Sequence, residues 1–271
     1  MAEPETRAGD EISLRAAEVA SDVSETDRPQ ERRRLVTAFT EAASSGARLA
    51  GRGTRAVRRG ASSGTHAARR RAGEWVGWMA DQVVAMAPRL RVRDQAALRA
   101  QFPGRSADEI AEILIEGAAR AAAATGGAAG AASTLPVLPA FPVEIAAETL
   151  VLVGIELKLV AELHEVYGRP APGRFPERMS AYLASWAHRR GVFMIEGGLI
   201  FAVGSPLAQL LRRRLLARAG RSAFSLGPLL TGAAAGALFN RRETRRLGRD
   251  IQRDLRRRAV DGPADAGWRR R

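Results

Sequence analysis

Residues 121–143 (AAAATGGAAGAASTLPVLPAFPV) run for 23 positions without a charge, long enough to span a bilayer as one helix at about 1.5 Å per residue. Pro136, Pro139 and Pro142 forbid that helix, because each removes an amide donor and disfavours helical geometry at the residue before it. The chain must turn here, and the flanks say how. Ser106-Ala107-Asp108-Glu109 is a capping box, so a helix should start at about Ala107, with Ile110, Ile113, Leu114 and Ala118 as its apolar face. A second helix should run from about Val143 to Tyr167, stopped by Gly168 and Pro170. Gly126 and Gly130, four apart, give the first helix a small face on which the second can approach closely.

A second half repeats the plan. After a Gly/Pro-rich connection, Met179, Tyr182, Leu183 and Trp186 lead into residues 192–211, interrupted only by Glu196, and then into 222–240, which carry no charge. Gly232 and Gly236 repeat the small-residue spacing. The predicted fold is all-α, a helical bundle of two Gly/Ala-rich hairpin-like halves, 107–167 and 179–240. These form a core over 74–240, which opens with a helix carrying Trp75, Trp78, Val83 and Val84.

Composition places the remaining segments. Residues 1–40 begin with eight acids against two arginines in the first 27 positions and read as a largely disordered acidic tail. Residues 41–73, rich in Arg, Gly and Ser, read as a flexible basic linker. Residues 241–271, with 12 arginines and five acids, read as a basic helix to about Val260 and a loose end. The formal charge is +14 and 42 of the 43 basic residues are arginine, so the partners should be anionic.

The arginine clusters bracket the apolar segments. His188-Arg189-Arg190, then Arg212, Arg213 and Arg214, then Arg241, Arg242, Arg245 and Arg246 flank residues 192–211 and 222–240. Two full crossings in series would put the middle cluster on the opposite side from the others, against the positive-inside tendency. A re-entrant or interfacial hairpin lets all three face one anionic surface. Trp75, Trp78 and Trp186 have the surroundings of interfacial anchors, and equally of core residues. In the helix 143–167, Glu144, Glu148, Lys158 and Glu162 fall within about 40° of one line. They form either a solvated face with an apolar middle or a polar seam inside a helical hairpin.

Residues 110–168, IAEILIEGAARAAAATGGAAGAASTLPVLPAFPVEIAAETLVLVGIELKLVAELHEVYG, resemble the EcsC family in their Ala/Gly-rich helix, Pro-bearing connection and second helix closing on Tyr167-Gly168. The resemblance covers about 103–168 well and 192–240 loosely. It implies a helical protein with an accessory role at a membrane and brings no active site.

Catalytic chemistry finds little support. There is no cysteine and there are three histidines, His66, His164 and His188, which removes thiolate chemistry and makes a His-rich metal site improbable. No phosphate loop ending in lysine, GxSxG elbow or HExxH pair occurs. No cofactor, metal or small-molecule substrate is expected. The first residues show no basic stretch followed by an apolar run, so no cleaved export signal is expected. The expectation is a non-catalytic accessory or scaffolding protein on the cytoplasmic face of the cell membrane, docked on anionic lipid through its arginines. Self-association or a protein partner remains compatible with it. The alternative is a soluble helical protein that binds nucleic acid through the linker and C-terminus.

Overall fold

Every residue from 146 to 163 is buried. A helix apolar on all sides belongs at the centre of a bundle, and the computed structural model places it there. The structure describes the backbone of residues 4–50, 77–132, 141–190, 192–195, 198–201 and 227–260, with side chains over 10–39, 42, 77–125, 146–190 and 236–258. The described helices are α1 (Pro4–Glu25), α2 (Pro29–Ala50), α3 (77–86), α4 (Gln95–Gln101), α5 (Ala107–Ala132), α6 (Phe141–Val166), α7 (Phe175–Arg190) and α8 (Gly227–Val260). The fold is all-α. The central helix is α6, packed by α1, α2, α5, α7 and α8.

Local signals set the ends of the first helical pair as expected. The Ser106 amide donates to Glu109 Oε2 at 2.8 Å, and the Glu109 amide donates back to Ser106 Oγ at 3.3 Å. Pro142 sits in the first turn of α6, where its missing amide costs nothing. The far end of α6 closes with Gly168 at φ +63°, its amide on Glu165 O and the Arg169 amide on His164 O, the paired bonds of a left-handed glycine cap.

Three expectations change. The first is the acidic tail over residues 1–40: within it, α1 and the start of α2 are helical and lie on the core. Ala16, Ala17, Ala20 and Val23 are buried, while Asp10, Glu11 and Glu18 face water on the other side of α1. The stripe is built from alanine, so it is weak as a hydrophobic signal and strong as a close-packing one. An added Cβ on Gly154 of α6 would lie 2.6 Å from Ala20 Cβ, so α1 rests almost on the α6 backbone. Residues 41–50 of the expected flexible linker continue α2 as helix.

The second change concerns residues 192–211. Val192–Ile195 (β1) and Gly198–Phe201 (β2) pair as an antiparallel ribbon with Val192 opposite Phe201 and Ile195 opposite Gly198. Val, Ile and Phe favour strands, and the sequence Gly197-Gly198 between two apolar runs is a hairpin signal rather than a helical one. Where the second half is described, the first part of the expected 192–211 helix is therefore a ribbon; residues 202–226 lie outside the described residues.

The third change is the partner of the glycine-bearing helices and the boundary at 240. Residues 227–260 form one helix, and Leu247, Ile251 and Leu255, expected in a basic tail, are buried. Among the described residues α5 makes its longest contact with α8 rather than with α6. Asn240 Nδ2 donates to Ala122 O and Thr125 Oγ1, Arg245 pairs with Glu116, Arg249 with Glu112 and Arg256 with Asp108, so the two helices run antiparallel. Gly248 of α8 marks another close approach, since an added Cβ would lie 2.7 Å from Ile115 Cγ1.

Gly154→Leu should therefore lower stability by about 2–3 kcal/mol through overpacking, more than the roughly 1 kcal/mol gained in helix propensity. Gly77→Ala on α3, where nothing lies within 4 Å of the added carbon, should be neutral or stabilising. Urea unfolding checks both, and equal effects at the two sites would contradict the close approach of α1.

Candidate functional site

The arginines of α8 divide by face. At 100° per residue, Arg242, Arg246, Arg249, Arg253 and Arg257 lie within about 80° of arc and all are exposed. They form a row roughly 22 Å long at 1.5 Å per residue. Leu238, 65% exposed, lies one turn before Arg242 and close to the same line. The opposite face, with Asn240, Thr244, Leu247, Ile251 and Leu255, is buried.

One edge of this helix is held by α5. Glu116 takes Arg241 at 3.5 Å and also Arg245, Glu112 takes Arg249 at 3.2 Å, and Asp108 takes Arg256 at 2.6 Å. Asp108 also accepts from the Tyr167 hydroxyl. The Tyr167 hydrogen bond and Arg256 together hold the Asp108 pKa below its ordinary range against slight burial. Arg253 pairs with Asp250 on its own helix. Arg242, Arg246 and Arg257 have no ion pair among the described residues, and these three are the open cations of the row.

The charged groups of α6 are interior. Glu156, 3% exposed, accepts Trp186 Nε1 and Arg190 Nε at 2.9 Å each, Thr244 Oγ1 at 2.8 Å, and Arg190 Nη2. One carboxylate thereby ties α6 to α7 and α8. Glu162 accepts Arg93 Nε at 2.8 Å and Arg93 Nη2 at 2.7 Å, and lies 2.8 Å from Lys158 Nζ. Lys158 also donates to Glu25 of α1 at 3.0 Å and to the Arg91 carbonyl. Of the two readings of the α6 stripe, the polar seam holds at Glu148, Lys158 and Glu162, all buried, though it faces several helices rather than one hairpin partner.

The expected contact residues fall into three groups. Arg242 and Arg246 are exposed on the α8 row. Trp186, Arg190, Arg189, Arg241 and Arg245 are engaged internally: Trp186 and Arg190 are buried on Glu156, Arg189 pairs with Asp254, and Arg241 and Arg245 pair with Glu116. Trp78 is partly buried against the core. Of these, Trp186 and Arg190 are buried and cannot meet a surface ligand, while Trp78, Arg189, Arg241 and Arg245 stay partly exposed beside neighbours that the linear sequence does not show. Trp75, Arg212, Arg213 and Arg214 lie outside the described residues. Leu238, Arg249, Arg253 and Arg257 were missed, although the spacing of the arginines at 242, 246, 249, 253 and 257 is legible as one helical face.

No family model, curated protein or solved structure matches the chain. The likeness to the EcsC family therefore rests on the residues quoted above. Among the described residues no helix is long and apolar enough to cross a membrane, and no His, Asp or Glu cluster has the form of a metal site.

The α6 seam predicts an acid limb in stability. Burial alone would raise the Glu162 pKa, but its bonds to Arg93 and the charges of Lys158 and Arg93 outweigh burial and hold it below 4.5. A carboxyl depressed in the folded chain adds stability that is complete above its unfolded pKa and is lost as pH falls through the folded one. The urea midpoint should fall as pH drops below about 4.5. Glu162→Gln should cost about 3 kcal/mol at neutral pH, because Arg93 loses its ion-pair partner in the interior and Lys158 keeps only the half-exposed Glu25. It should also flatten the acid limb, and an unchanged slope would contradict the assignment.

Proposed function

We propose that this chain is a non-catalytic accessory or scaffolding protein that docks on the anionic cytoplasmic face of a membrane through the α5–α8 pair. The observation that carries the reading is the division of that pair along its length. At one end, residues 121–132 of α5 and 227–239 of α8 are uncharged in both helices, and at the other α8 presents the arginine row. The uncharged ends are about 18–20 Å long at 1.5 Å per residue, more than one leaflet of a hydrocarbon core roughly 30 Å thick and less than the whole. With the helix pair lying along the surface, they can sink into one leaflet while Arg242, Arg246 and Arg257 on the same helix meet headgroup phosphates.

Exposed Leu238 at the junction favours lipid over nucleic acid, since a phosphate backbone offers no apolar layer beside its charges. An accessory role at a membrane is also what the EcsC resemblance implies.

The full chain, nuclease-treated, should pellet with vesicles containing phosphatidylglycerol and stay in solution with phosphatidylcholine alone. Each basic residue near an anionic surface contributes about 1 kcal/mol. Reversing Arg242, Arg246 and Arg257 to Glu together should therefore weaken binding by at least a hundredfold, that is, about 3 kcal/mol. Leu238→Glu should weaken binding while leaving the circular dichroism of the soluble protein unchanged. Duplex DNA retained more tightly than vesicles, with the same loss in the triple variant, would replace this reading with nucleic-acid binding.

A further inference from the structure

Two of the described helices turn a leucine to water beside charges of opposite sign. On α8 it is Leu238, 65% exposed, and Arg242, Arg246 and Arg249 follow it at steps of four, four and three. On α1 it is Leu14, 44% exposed, and Glu18, Asp22 and Glu25 follow it at the same steps. Each set falls within about 80° of arc at 100° per residue, so each is one helical face, roughly 16 Å long.

These charges are only partly satisfied within the chain. Glu18, Arg242 and Arg246 are exposed and have no ion pair among the described residues. Asp22 takes Arg91, Glu25 takes Lys158 and Glu112 takes Arg249, yet the side chains of Asp22, Glu25 and Arg249 all keep a large share of their surface in water. The two faces do not meet in the folded chain. Both helices pack on α6, with Ala16, Ala20 and Val23 of α1 and Leu247, Ile251 and Leu255 of α8 turned inward, and the leucine faces are left to solvent.

We propose that the α1 face is a docking surface for the α8 face of a second copy of this chain. Laid parallel, the two helices bring Leu14 onto Leu238, Glu18 onto Arg242, Asp22 onto Arg246 and Glu25 onto Arg249, because residues at equal height face each other as in a parallel coiled coil. Laid antiparallel with the leucines still matched, Asp10 is the one acid of α1 opposite an arginine, so the charges set the direction as well as the partner. The contact is heterologous: each copy keeps one face of each kind free for the next, and association adds copies in line rather than stopping at a pair. One helix face on another buries less than the roughly 1,000 Å² of a stable interface. The net charge of +14 also repels copies at long range. The association is therefore weak and belongs to high protein concentration. It does not depend on the lipid reading, but a chain engaged in this way has Arg242 and Arg246 withheld from a membrane.

Sedimentation equilibrium of the full chain, nuclease-treated and without lipid, tests this. The mean mass should rise with concentration without levelling at twice that of the monomer. Glu18→Arg or Arg242→Glu alone should weaken the association at least tenfold, or about 1.4 kcal/mol. The two substitutions together in one chain should restore it, because the charges are then exchanged across the contact. Both positions are exposed and without ion pairs among the described residues, so circular dichroism should be unchanged in all three variants. A chain that stays monomeric at every concentration, an association that Glu18→Arg leaves intact, or a double variant no better than either single one overturns the proposal. A chain that self-associates in this pattern but ignores anionic vesicles would overturn the lipid reading and support this one.

Discussion

Charge buried on α6 dictates how the other helices are arranged. Moving a carboxylate or ammonium out of water costs several kcal/mol even after relaxation, and α6 carries Glu156, Lys158, Glu162 and Glu165 into the interior. Several neighbours therefore supply a matching group. Helix α7 brings Trp186 and Arg190 to Glu156 and Arg178 to Glu165, α8 brings Thr244, α1 brings Glu25, and the segment before α4 brings Arg91 and Arg93. Apolar packing would tolerate a small slide of one helix along another. A carboxylate with four donors at fixed positions does not.

The same matching separates structural arginines from available ones. In the sequence the clusters look alike, because +14 spread over 43 basic residues gives no sign of which are paired. In three dimensions Arg190 is as much a core residue as Leu163, and Arg241 and Arg245 serve the α5 edge. Among the described residues of α8, Arg242, Arg246 and Arg257 of the outward row, and Arg258 near the helix end, keep cations facing water without a carboxylate.

The sequence was most legible where the signal is local. The capping box at Ser106 and the glycine stop at Gly168 each depend on a few consecutive residues, and both stand where they were read. What was lost depends on partners far along the chain. The alanine stripe of α1 gives little hydrophobic contrast and means something only opposite Gly154. The arginines at 189, 190, 241 and 245 look solvated until Asp254, Glu156 and Glu116 are brought beside them. The strand propensity of Val192, Phe193 and Ile195 was masked by the expectation of a long apolar helix, although Gly197-Gly198 argued against it. Periodicity within one helix likewise cannot say that α5 meets α8 more extensively than it meets α6.

The pairing of α5 with α8 also bears on how the chain is made. Asp108 and Arg256 are 148 residues apart, so the ion pairs of this helix pair close among the last contacts available to a chain growing from its N-terminus. Until α8 leaves the ribosome, Ile115 has no glycine of α8 to pack on, Glu116 has no arginine and the uncharged end of α5 has no matching surface. Contacts of such long range are slow to form and leave apolar surface open in the meantime. The nascent protein thus passes through a stage in which the face of α5 that α8 covers stays open, and completing α8 is what ends it.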